Sequence, residues 1–106
     1  GGGIALLNAS ARITSKSKSE KVLLEAIKAP FLTILKNAGL NEVYPQTKGK
    51  GIDVVTGKDV NMIKSGIIDP LLVTKSALRN ATSVAATFLS TDCVINNLRV
   101  EDESNR

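Results

Sequence analysis

Apolar residues recur three and four positions apart along most of the chain, the period of a helix with one covered face. Ile4, Leu7 and Ala11 keep that spacing, with Leu6 and Ile13 beside them, and predict a first helix over 4–13 directly behind Gly1, Gly2 and Gly3. Residues 14–19 are polar and read as a loop. Ser17 and Glu20 then make an S-x-x-E capping box, in which the serine accepts from an orphan N–H and the glutamate reaches back to the cap. Behind it Leu23, Ile27, Phe31, Ile34 and Ala38 fall along one stripe. Pro30 removes an N–H and crowds the preceding turn, which predicts a kink or two abutting helices. Lys36 suits the negative pole of the helix, and Gly39 is the expected residue just past its end.

The pattern changes from Leu40 to Gly51, an irregular stretch with Pro45 and the run Lys48-Gly49-Lys50-Gly51. Ile52-Asp53-Val54-Val55, a Thr56-Gly57 turn and Lys58-Asp59-Val60 follow, β-branched residues flanking a glycine turn, as in a short hairpin. Asn61 to Ser65 predicts one helical turn stopped by Gly66. Asp69-Pro70 reads as a helix start, with Asp at the N-cap and Pro at the first helical position, where its missing N–H is no loss. The helix behind carries Val73, Ala77, Ala81, Val84 and Phe88 on one side. Cys93-Val94-Ile95 suggests a final strand, and 99–106 a flexible, charged tail. The fold class expected is mainly α, with a short β-hairpin and a C-terminal strand. A lone strand leaves backbone groups unpaired, so the hairpin or another chain must complete it.

Composition narrows the chemistry. The chain has 106 residues, 42% of them hydrophobic, which suits one compact domain. Aromatics are only 3% and Trp is absent, so Leu, Ile, Val and Ala must fill the core. The net charge of +4 is too mild to imply a nucleic-acid partner. Phe31, Tyr44 and Phe88 are scattered rather than interleaved with cations, and a polyanion site would need Arg12, Lys16, Lys18, Lys21, Lys48 and Lys50 to cluster. There is no His, and Cys93 is the one cysteine. That removes Ser-His-Asp and Cys-His catalysis, the usual zinc sites and any internal disulfide. No apolar run reaches the roughly 20 residues a membrane helix needs. No nucleic acid, no membrane and a reducing compartment are expected. The three leading glycines remain open between a cloning remnant and a turn that lets a ligand approach the backbone.

Several stretches, in order, resemble the C-terminal part of the equatorial domain of bacterial-type (group I, GroEL family) chaperonins. They are Gly1-Gly2-Gly3-Ile4-Ala5-Leu6, Glu25-Ala26-Ile27-Lys28-Ala29-Pro30, Asn61-Met62-Ile63-Lys64-Ser65-Gly66-Ile67-Ile68-Asp69-Pro70 and Val73-Thr74-Lys75-Ser76-Ala77-Leu78. The resemblance runs from Gly1 to about Leu98. It implies a helical domain that binds ATP with magnesium and potassium and makes the contacts of a homo-oligomeric ring. Nucleotide turnover in such a ring drives capture and release of unfolded client proteins, with a co-chaperonin, through other domains. Gly2 would lie in the turn beside the nucleotide. Asp53, Val54 and Val55 would line the adenine, and Asp69 would accept from the ribose hydroxyls. Physically, Gly2 lets a sugar lie on the backbone, the valines offer an apolar wall, and a carboxylate can accept two hydroxyls.

The departures matter as much. Asp53 stands where the family often has Asn, so it can accept from the exocyclic amine but cannot donate to a ring nitrogen. The loop before the hairpin is short, and Glu101-Asp102-Glu103-Ser104-Asn105-Arg106 replaces a glycine- and methionine-rich tail. This stretch holds neither the phosphate-cradling G-D-G-T-T nor the family's magnesium and catalytic carboxylates. Residues 1–106 are therefore expected to form a single incomplete domain, inactive by itself though its parent would be an ATPase. Phosphoryl transfer needs the metal and charged groups that this half lacks. A cytoplasmic or organellar-matrix location fits the resemblance. The alternative reading is a non-enzymatic module that self-associates through uncovered apolar stripes such as Leu23/Ile27/Ile34 and Val73/Val84/Phe88.

Overall fold

A computed structural model describes residues 1–91. Four helices and one two-stranded antiparallel sheet make the fold mainly α: α1 (Ile4–Arg12), α2 (Lys18–Ala26), α3 (Ala29–Asn37), β1 (Gly51–Asp53), β2 (Lys58–Val60) and α4 (Leu71–Ser90). The chain forms two compact units, Gly1–Ile68 and a second that begins at Asp69. The strand expected at Cys93–Ile95 and the tail lie outside the described residues.

Local signals set most of the element ends in the first unit. Ser17 caps α2, its Oγ accepting from the Glu20 N–H at 3.2 Å. The other half of the expected box shifts by one residue: the Glu20 carboxylate accepts from the Lys16 N–H, not from that of Ser17. Pro30 produces abutting helices, with α2 ending at Ala26 and α3 starting at Ala29. Gly39, at φ 72°, closes α3, and the Gly39 and Leu40 N–H groups donate to the Lys36 and Leu35 carbonyls at 3.0 Å each. That is a Schellman end, with Leu40 folded back onto the helix. The same device recurs at Gly66. Asn61 caps a single turn by accepting from the Lys64 N–H, and the Gly66 and Ile67 N–H groups donate to Ile63 and Met62.

Ile4, Phe31, Leu35, Ile52 and Met62 are the buried core, with Leu7, Leu32, Leu40, Val60 and Ile67 packed against it. The stripe read across α2 and α3 is corrected here. Leu23 is exposed, and Leu35, which the stripe omits, is almost wholly buried beside Phe31. A break between two helices resets their rotational phase, so a 3.6-residue period cannot be carried through Pro30.

The hairpin pairs Gly51 with Val60, Ile52 with Asp59 and Asp53 with Lys58. Its loop is longer than the expected Thr-Gly turn, because Val54 and Val55 belong to the loop and not to the strand. Asp53 explains this: its carboxylate accepts from the Val55 N–H at 2.9 Å and its carbonyl from Gly57, turning the chain two residues early. On β2, Asp59 accepts from the Gln46 and Thr47 N–H groups and so pins the preceding irregular segment to the sheet.

In the second unit α4 contains no buried residue. Leu71, Leu72, Val73, Val84, Phe88 and Leu89 are all more than half exposed. Its hydroxyls turn inward instead. Thr82, Thr87, Ser90 and Thr91 each donate to the carbonyl four residues earlier, so their polarity is spent within the helix. No helix among the described residues is long and apolar enough to cross a membrane.

Candidate functional site

The three leading glycines form a built turn. The Ile4 N–H donates to the Gly1 carbonyl at 3.2 Å, and Gly2 and Gly3 both take positive φ, 65° and 77°. Positive φ at both central positions is the mirror-image turn that excludes most side chains. Surroundings enforce the same choice. A Cβ on Gly1 would lie 2.7 Å from the Ile67 carbonyl oxygen and 3.0 Å from the Ile68 nitrogen, and one on Gly3 2.6 Å from the Phe31 nitrogen. A Cβ on Gly2 would strike the Met62 methyl at 2.7 Å. Of the two readings of these glycines, the turn is the one observed.

Met62 joins this turn to the hairpin. A Cβ on Gly51, the first residue of β1, would come within 2.7 Å of both the Met62 side chain and that of Ile4. Gly2 and the base of the hairpin thus both pack against one buried methionine. Met62 lies within the Asn61–Pro70 stretch of the resemblance but is not among the residues expected at the nucleotide. The signal available was two glycines, Gly2 and Gly51, each needing a neighbour too close for a Cβ.

The remaining expected site residues divide. Asp53 ends β1, two residues beyond Gly51, with one carboxylate oxygen engaged by Val55. Val54 and Val55 sit in the hairpin loop, Val54 36% and Val55 91% exposed. Asp69 opens the second unit, one residue after Ile68. Its expected role as N-cap of α4 is corrected. The helix starts at Leu71, and Pro70 takes the cap position with extended backbone, φ −61° and ψ 133°. The Pro70 carbonyl accepts from the Thr74 N–H, and no side chain caps the helix. Proline can take this place because a cap residue needs only its carbonyl and extended geometry, both of which proline has. The Asp69 carboxylate is left outside the helix start.

No group of His, Cys, Asp or Glu able to hold a metal ion occurs among the described residues. The six cations that a polyanion site would need to cluster come together only in part. Lys21, Lys48 and Lys50 line one cleft of the first unit, joined by Lys28, while Arg12, Lys16 and Lys18 are not among its lining residues.

No solved structure matches this chain. The sequence model of the TCP-1/cpn60 chaperonin family matches residues 1–99, nearly the whole length. The chain belongs to that chaperonin family, whose members assist protein folding.

Proposed function

We propose that residues 1–106 are the C-terminal part of the equatorial domain of a group I, GroEL-type chaperonin subunit, supplying the adenine and ribose side of its ATP site and part of its ring contacts. The observation that carries this reading is Asp69. A carboxylate next to a helix start normally caps it, and here proline has that place, which leaves both oxygens available to ribose hydroxyls. Gly2, in its positive-φ turn, offers bare backbone to a sugar.

The adenine side fits less completely. One Asp53 oxygen is taken by the Val55 N–H, so a single oxygen remains for an exocyclic amine. ATP, with magnesium and potassium, would supply the phosphoanhydride whose hydrolysis drives client capture and release in the parent ring. The residues of this stretch would bind and orient the nucleoside and take no part in moving the phosphoryl group. Clients and co-chaperonin would be met by other parts of the subunit, in a cytoplasmic or organellar-matrix compartment.

The test is titration of the ¹⁵N-labelled chain with adenosine and ADP. Binding is weak, with Kd of about 1 mM or above, because half the contacts are elsewhere. The amides of Gly2, Asp53–Val55 and Asp69 shift together along one curve. Shifts confined to other surfaces, or none at saturating ligand, would refute the reading.

The uncovered face of α4 favours a second reading, a structural module that self-associates. A helix with exposed Val73, Val84 and Phe88 and internally satisfied hydroxyls is suited to burial against another apolar surface.

A further inference from the structure

We propose that the cleft between α1, α2 and residues 44–50 is a second binding site, taking a small oligophosphate anion. It rests on none of the residues assigned to the nucleoside. Four lysines reach it from three separate stretches of chain: Lys21 on α2, Lys28 in the α2–α3 junction, and Lys48 and Lys50 in the irregular segment. Against them stands one lining carboxylate, Glu25, and it is already paired with Lys28 at 2.8 Å. Lys21, Lys48 and Lys50 make no ion pair among the described residues.

Three ammonium groups without an ion-pair partner leave the cleft lining with an excess of positive charge, and an anion bound there adds an attractive interaction with each of them. Their number exceeds what a single phosphate balances, so an oligophosphate fits better. The donor type agrees. Lysine is a compact point charge suited to phosphate oxygens, and no arginine, the residue for planar bidentate carboxylate pairing, lines the cleft. Asp59 makes the site a formed one, since it holds Gln46 and Thr47 and thereby the turn that carries Lys48 and Lys50. The volume, about 640 Å³, is that of a small-molecule cleft. Tyr44 is the only aromatic lining residue, too few for the stacking row of a single-strand nucleic-acid channel.

Calorimetric titration of the full chain with inorganic tripolyphosphate tests this. The expected result is one saturable site per chain that weakens as salt is raised. Lys48→Gln with Lys50→Gln weakens it at least about tenfold, the loss of two close charges. Lys36→Gln with Lys64→Gln removes the same charge at exposed residues that do not line the cleft and leaves affinity within about twofold, since charges farther from the anion are screened. Asp69→Ala also leaves it unchanged, so failure here and failure of the nucleoside site are separable. The substituted lysines are exposed except Lys50, which is partly buried, and far-UV circular dichroism verifies folding; Lys21→Gln alone provides an independent variant. Equal losses in both lysine pairs, a loss in Asp69→Ala, no saturable binding, or tighter binding of a single-stranded oligonucleotide than of tripolyphosphate would each overturn the proposal.

Discussion

Gly3 and Gly49 share a left-handed backbone, φ 77° and 83°, but not its surroundings. Gly3 lies against the Phe31 backbone, whereas a Cβ on Gly49 meets nothing within 4 Å. Gly3→Ala therefore adds a clash with main chain to the conformational cost and destabilises by at least about 2 kcal/mol, against about 1 kcal/mol for Gly49→Ala. Urea midpoints of the two variants measure the difference, and equal midpoints would show that the turn is not packed as described. Tyr44, the only tyrosine, gives a second residue-scale test. Partial burial, and then its 3.3 Å hydrogen bond to Glu42, push its phenol above the usual 10.0. A raised value stabilises the fold fully below pH 10 and is lost as pH rises beyond that, through the folded value. The phenolate absorbance should titrate above pH 10.0 in the folded chain and return to it in denaturant.

The elements show which sequence signals survive folding. Ser17, Pro30, Gly39 and Gly66 act through neighbouring backbone groups, and each ends or starts an element where its chemistry predicts. Readings that needed a longer range fared differently. The apolar stripe was drawn through a helix break, so it missed Leu35 and included exposed Leu23. Asp69 was read as a cap because Asp prefers that position, but a following Pro can occupy it instead. The hairpin was legible and its turn was not, since the Asp53 carboxylate bends the chain before Val55. Gly2 was identified as a turn residue from the family resemblance, while Met62, its neighbour in space, carries no local signal. Two substitutions test the elements. Ser17→Ala should cost about 1 kcal/mol in thermal or urea unfolding through loss of the α2 cap. Asp59→Ala should release the segment that it pins, and hydrogen exchange at Gln46 and Thr47 should accelerate while the α3 amides stay protected. Unchanged exchange at those two amides would mean that Asp59 does not hold the segment.

At the scale of the molecule, five buried side chains make the core of the first unit and α4 adds none. Such an apolar helix face gains free energy from any partner that covers it, and a second copy of the chain is always present. Sedimentation equilibrium should accordingly show association at high concentration, weakened by Val84→Glu with Phe88→Glu; a monomer throughout would remove the self-association reading. The central claim concerns the Asp69 carboxylate and a ribose. The most direct measurement compares ADP with its 2′,3′-dideoxy analogue on the wild-type chain and on Asp69→Ala. The account predicts that removing the hydroxyls weakens wild-type binding about tenfold, the worth of hydrogen bonds to a charged acceptor, and has no effect in the variant. The same loss in both proteins, or in neither, would contradict it.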